Sequence, residues 1–250
     1  GAMGNVMVIG NDEPVTGGGI ECHGIEVNRG KIASNGGNVH IHGTGIGNNQ
    51  SIGVQIADGG RITSENTGKI EVTGTGSAVA DSKNYGVFIY GENRGTGVGS
   101  TISSGGNDVI ITGYGGGTNS DNIGVYVNSC EIKAGGNGTI TVKGTGSTTA
   151  VENEKGIPNR NHGVLVTGKN GMICALRGNV IVDGMAGGPA ESSQNYGVRV
   201  GTGAKISSAE TGEVMVTGKD GNVAVFVEGI GSQITSNTGK ITVIGNAGSG

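Results

Sequence analysis

The stretch VHIHG at positions 39–43 sets two imidazoles, His40 and His42, two residues apart. On an extended strand that spacing projects both side chains from one face, an arrangement that can hold a divalent metal, with Glu71 the carboxylate placed to complete a surface site. Two solvent-facing histidines are more commonly plain surface positions, so no metal and no cofactor is expected. Acid–base chemistry on a polysaccharide would need carboxylates converging on one face. The candidates are Glu152 and Glu154, which share a connecting segment, and Asp183. Asp58, Asp81, Asp108, Asp121 and Asp220 sit in different registers, so no acidic ladder is expected. Cys22, Cys130 and Cys174 are far apart, form no C-x-x-C pair and read as isolated thiols. The G-x-G runs precede no helical pattern and no G-x-S-x-G elbow occurs, which speaks against nucleotide chemistry and a serine hydrolase. The expectation is a protein without enzymatic activity, with a polysaccharide lyase or hydrolase as the alternative.

The remaining candidates take their meaning from the elements that carry them. Three short strand patterns recur in fixed order seven times. The first strand is Gly followed by two β-branched residues, as in Gly53, Val54, Ile56 and Gly124, Val125, Val127, with Ala224 replacing the glycine in the seventh coil. The second carries one Ile and, two positions on, a small residue, as in Ile62 and Ser64 or Ile132 and Ala134. The third is a pair such as Ile70 and Val72 followed by Gly, and a leading copy with Val6 and Val8 starts the chain. Apolar residues at every second position bury one face of each strand. Strands this short, repeated in order, are the signature of a solenoid in which each coil stacks on the next. The fold expected is all-β, a right-handed parallel β-helix of about seven coils of three short strands, with loops of variable length on one edge.

In that register the outward residue of the first strand forms a column in which Phe88, Tyr126 and Leu165 are neighbours, in a chain with only five Tyr and two Phe. An exposed apolar column either is covered or binds something. The inserts at 92–100 and 145–161 belong to the same coils and are expected to cover it, with ligand contact the alternative. A second column precedes the first-strand glycine: Asn84, Asn122, Asn161 and Asn195, each followed by Tyr85, Ile123, His162 and Tyr196 in turn. Stacked Asn side chains can hydrogen-bond along the axis as a ladder, so these four read as structural. Phe88, Tyr126, Leu165, Tyr85 and Tyr196 are the ligand-contact candidates, with a sugar stacking on the rings. Thr73, Thr112 and Thr217 suggest an ice-binding array, but Ile110, Ile181, Asp183 and Met215 on the same face break its regularity.

Composition narrows the classes further. There are 56 glycines in 250 residues, against a usual share of about 7%, with no collagen period, which fits a turn-dense all-β chain. The formal charge is −4 and the 16 Lys and Arg are scattered, so nucleic acid is not an expected partner. No apolar run is long enough for a membrane helix. GAMG at 1–4 reads as the remnant of a cleaved expression tag, and 5–250 as one β-helix domain. Both ends fall on third strands without a polar cap, so a piece of a longer repetitive protein is expected, whose partners include its own further coils.

The repeats G-V-x-V, x-I-x-S and T-G-K-I-x-V-x-G resemble the β-helical shafts of filamentous-haemagglutinin-like exoproteins and autotransporter passengers. That resemblance implies export to the bacterial surface or the extracellular space, a rigid stalk or display role, and adhesion to host cells, neighbouring cells or polysaccharide.

Overall fold

The computed structural model describes residues 4–10, 22–48, 50–79, 82–91, 99–149, 160–188 and 194–248. The inserts at 92–98 and 151–159, including Glu152 and Glu154, lie outside the described residues, as do residues 1–3 of the tag-like GAMG. The chain forms three parallel sheets, one from each recurring strand, and winds as a right-handed parallel β-helix of about seven coils. The first sheet holds Ile25–Asn28, Val54–Ala57, Val87–Tyr90, Val125–Asn128, Val164–Thr167, Tyr196–Gly201 and Val223–Glu228. The second runs from Lys31–Ser34 to Gln233–Ser236, and the third from Val6–Gly10 to Ile241–Asn246. Among the described residues no helix is long and apolar enough to cross a membrane.

Equivalent positions of successive coils pair directly. In the second sheet Ile62, Ile102, Ile132, Ile173 and Ile206 form one inward file, each wholly buried. Val and Ile suit this interior because their restricted side chains pack against identical neighbours on a pleated surface, and each fully buried one contributes about 1.5–3 kcal/mol. In the seventh coil the inward face is less covered, with Val227 44%, Ile241 44% and Val243 50% exposed.

The glycines that flank the strands are not there for turn geometry, since neither Gly68 nor Gly74 lies in the left-handed backbone region. Gly74 is the third inward position of strand Ile70–Thr75, and a Cβ there would lie 2.7 Å from the carbonyl carbon of Gly86. Gly124 is crowded likewise, its Cβ falling 2.7 Å from both Gly144 C and Gly163 O. Two facing files of glycine thus let the end of the third strand and the start of the first touch backbone to backbone. Gly68 is crowded by Ser64 Oγ and the backbone of Gly37. The small second-strand residue also gains a role: Ser64 Oγ donates to Gly37 O of the preceding coil at 2.9 Å, and Ser236 Oγ to Gly212 O at 2.8 Å. That bond ties the corner between the second and third strands, whose length differs by only one residue from coil to coil.

Candidate functional site

The corner leading into the first sheet is built from a repeated three-residue device. Gln50, Lys83, Asp121, Arg160 and Gln194 all adopt left-handed backbone, with φ of 49°, 60°, 60°, 44° and 70°. This turns the next residue inward, and at five coils that residue is Ser51, Asn84, Asn122, Asn161 or Asn195, each completely buried. The following residue, including Tyr85, Ile123, His162 and Tyr196, then sits on the outer side of the corner, against the first sheet.

The buried asparagines bond chiefly to backbone. Asn84 N–H donates to Asn122 Oδ1 at 2.9 Å, Asn122 N–H to Asn161 Oδ1 at 2.8 Å, and Asn161 N–H to Asn195 Oδ1 at 2.8 Å. The file continues beyond the four residues singled out in sequence. Ser51 N–H donates to Asn84 Oδ1 and Asn195 N–H to Asn222 Oδ1, both at 3.0 Å. Each side-chain carbonyl therefore satisfies an amide of the preceding coil that the sheet leaves unpaired.

On the outer face, Glu26, Gln55, Phe88, Tyr126, Leu165, Arg199 and Phe226 pair in one continuous file. Its apolar centre is not the exposed stripe that strand alternation suggests: Leu165 is only 7% exposed and Phe88 and Tyr126 are half-buried. The cover comes partly from the rings themselves. Phe88 stacks on Tyr126 with centroids 4.9 Å apart and on Tyr90 at 4.8 Å, while Tyr85 meets Phe88 at 4.9 Å and Tyr126 edge-on at 5.5 Å. A second group stacks His162, Tyr196 and Phe226 with centroids 5.1 and 4.8 Å apart. Tyr196 N–H donates to His162 Nδ1 at 3.2 Å, so that nitrogen carries no proton, and burial pushes the imidazole down to about 3.

Two adjoining clefts open beside these rings and share Lys83 and Tyr85 as their divider. One, of about 370 Å³, is bounded by His23, Gln50, Gln55, Phe88 and Tyr90. The other, of about 300 Å³, is bounded by Asp121, Tyr126, Arg160, Leu165 and Arg199. Together they form a groove crossing the coils. Arg160 binds Asp121 at 2.8 Å, and burial raises the Asp121 carboxyl while Arg160 and Lys83 oppose that rise. Burial also raises the phenols of Tyr85 and Tyr126, keeping both as neutral O–H donors. A larger cleft, about 780 Å³, lies at the turns of the later coils, but its walls are turn backbone and mostly exposed side chains such as Lys169, Lys205 and Ile230, without a stacked ring.

The other sequence candidates do not converge here. His40 and His42 lie opposite Glu71 and Thr73 on the third sheet. Glu71 is shared between His40 Nδ1 at 2.8 Å and Lys69 Nζ at 2.5 Å, and Lys69 holds its carboxyl below the usual range. No group of three His, Cys, Asp or Glu placed to hold a metal occurs among the described residues. Asp183 is also on the third sheet, 3.3 Å from Lys219. Sequence reasoning overlooked Lys83, Asp121, Arg160, Arg199 and Tyr90 as groove residues. A signal existed, since the first, second and third of these immediately precede an asparagine of the buried file. Compared with known proteins, the chain matches no family model, no curated protein and no solved structure.

Proposed function

We propose that this chain is a non-enzymatic structural and adhesive segment of a bacterial cell-surface or secreted protein of the filamentous-haemagglutinin-like or autotransporter-passenger type. Its stacked coils form a rigid rod, and the groove on the first sheet binds carbohydrate on host cells, neighbouring cells or polysaccharide. The observation that carries this reading is the cluster of Tyr85, Phe88, Tyr90 and Tyr126, whose rings stack along the groove within reach of polar corner residues. Stacked rings beside hydrogen-bonding groups are how an apolar sugar face and its hydroxyls are met together. Among the described residues, Asp121 is the one carboxylate lining the groove, and it is engaged by Arg160, which favours binding over hydrolysis by a carboxylate pair. Further coils of the same protein are the second partner in this reading. The exposed Val227, Ile241 and Val243 of the seventh coil form the surface another coil would bury.

The test is to incubate the purified protein with a panel of polysaccharides and to measure both retained protein and newly formed chain ends. Retention without new ends, lost on Phe88→Ser or Tyr126→Ser in a still-folded protein, is the expected result. New chain ends would replace this reading with an enzymatic one, and retention indifferent to both substitutions would remove the groove from it.

A further inference from the structure

The charge inside the groove differs from that of the chain as a whole. The protein is formally −4, yet the cleft between the third and sixth coils is lined by Lys83, Arg160 and Arg199 against Asp121 alone. Asp121 engages one terminal nitrogen of Arg160, and a guanidinium has five N–H donors in a planar fork, so Arg160 retains donors for a second anion. Lys83 has no ion-pair partner among the described residues. Arg199 is gripped by Glu228 through Nε and one terminal nitrogen, which fixes its position at the far end of the cleft. Lys83 and Arg160 also occupy left-handed backbone, a conformation that asparagine or glycine adopts at lower cost.

We propose that the groove takes an acidic polysaccharide, a chain of carboxylate-bearing pyranoses laid along the helix axis. Its sugar rings lie against the outward edges of Tyr85, Phe88 and Tyr126, and its carboxylates meet Lys83, Arg160 and Arg199. The proposal rests on reading the groove as a glycan site and adds the ligand's charge and direction. Three points support it. The guanidinium fork matches a carboxylate with two parallel hydrogen bonds, and Lys83 adds a point charge. The ring centroids of Phe88 and Tyr126, on successive coils, lie 4.9 Å apart, close to the strand spacing and comparable to the length of one pyranose, so the sugars of a polymer advance in step with the coils. Partial enclosure by the rings weakens solvent screening of those ion pairs.

Isothermal titration of the purified protein tests this with three probes: oligo-β-1,4-glucuronate, the uncharged cello-oligosaccharide of equal length, and single-stranded oligothymidylate. The glucuronate is expected to bind at least about tenfold tighter than the neutral sugar, and oligothymidylate more weakly than glucuronate. Arg160→Gln and Lys83→Gln place in this file the residue type found at Gln50 and Gln194, so the corner is preserved. Each should weaken glucuronate binding about tenfold and leave the neutral sugar unchanged. Asp121→Asn, by freeing Arg160, should tighten it several-fold. Equal affinity for the two sugars, an unaffected Arg160→Gln, a weakening by Asp121→Asn, or tightest binding of oligothymidylate would each overturn the proposal. If Tyr126→Ser weakens both sugars equally while Arg160→Gln does nothing, the glycan site stands and its acidic specificity falls. If neither sugar binds, both fall.

Discussion

Replacing Asn122 by Ala isolates the contribution of the buried asparagine file. In the native protein Asn122 Oδ1 accepts from Asn84 N–H at 2.9 Å and from Asn84 Nδ2 at 3.1 Å, and both residues are fully buried. Alanine leaves two donors without this acceptor where water does not reach. At about 1–3 kcal/mol for each buried unsatisfied donor, the loss is about 2–6 kcal/mol. Asn38 is the internal control. Its Oδ1 accepts Lys69 N–H at 3.0 Å in the same coil-to-coil manner, but it is exposed. Water replaces the lost acceptor there, so Asn38→Ala should cost only about 0.5–1 kcal/mol. Asn122→Ser, which installs the kind of acceptor that Ser51 Oγ offers to Cys22 N–H at 3.2 Å, should recover part of the loss. Stacked coils need not unfold in one step, so urea denaturation should be paired with native-state hydrogen exchange at the Asn84 amide. The reasoning fails if Asn122→Ala costs no more than Asn38→Ala, or if the Asn84 amide keeps its full protection in the alanine variant.

Other predictions follow from crowding, titration and burial. Gly124→Ala forces a Cβ to 2.7 Å from Gly163 O and should lower stability by at least about 1–3 kcal/mol. Gly30→Ala meets nothing nearer than 3.7 Å and should be neutral or add up to about 1 kcal/mol; comparable melting temperatures for the two variants would contradict the backbone-contact account. His162 is neutral in the fold down to about 3, whereas its unfolded form takes up a proton near 6.5. The unfolded state therefore binds more protons between those values, and stability should fall as pH drops through that window. His162→Gln should flatten this component in denaturation curves recorded at pH 7 and pH 4.5, and an unchanged pH slope would argue against it. Burial pushes the Cys130 thiol up to about 12, so iodoacetamide at pH 8 should leave it unmodified in the native protein and alkylate it in urea, as read by peptide mass mapping.

Strand register was readable because period-two Val and Ile columns admit one inside-out assignment, since a one-residue slip would expose every buried side chain. The pairing of Phe88 with Tyr126 and of Tyr126 with Leu165 follows directly from that register. What the pattern did not reveal depends on contact between nonequivalent strands. The crowding at Gly74 arises from Gly86, which immediately precedes a strand of a different sheet, and alternation within one strand carries no information about that approach. The groove charges were hidden for a related reason. Lys83, Asp121 and Arg160 lie outside the strands, and only the left-handed corner brings them beside the rings. Alternation placed Leu165 on the outer face but carried no information on what packs over it there, where it is 7% exposed.

The corner where the two glycine files meet is also the corner whose connecting segments vary most in length. Gly144 and Gly163 hold the chain on either side of the segment from Thr145 to His162, and Asn161 is anchored to the next coil before the new strand begins. Whatever sequence is threaded between those two clamps, the register downstream is reset by the same backbone contact. The rod can therefore exchange or lengthen loops at the margin of its groove without renegotiating its core, which makes this edge the natural place to graft a foreign recognition segment.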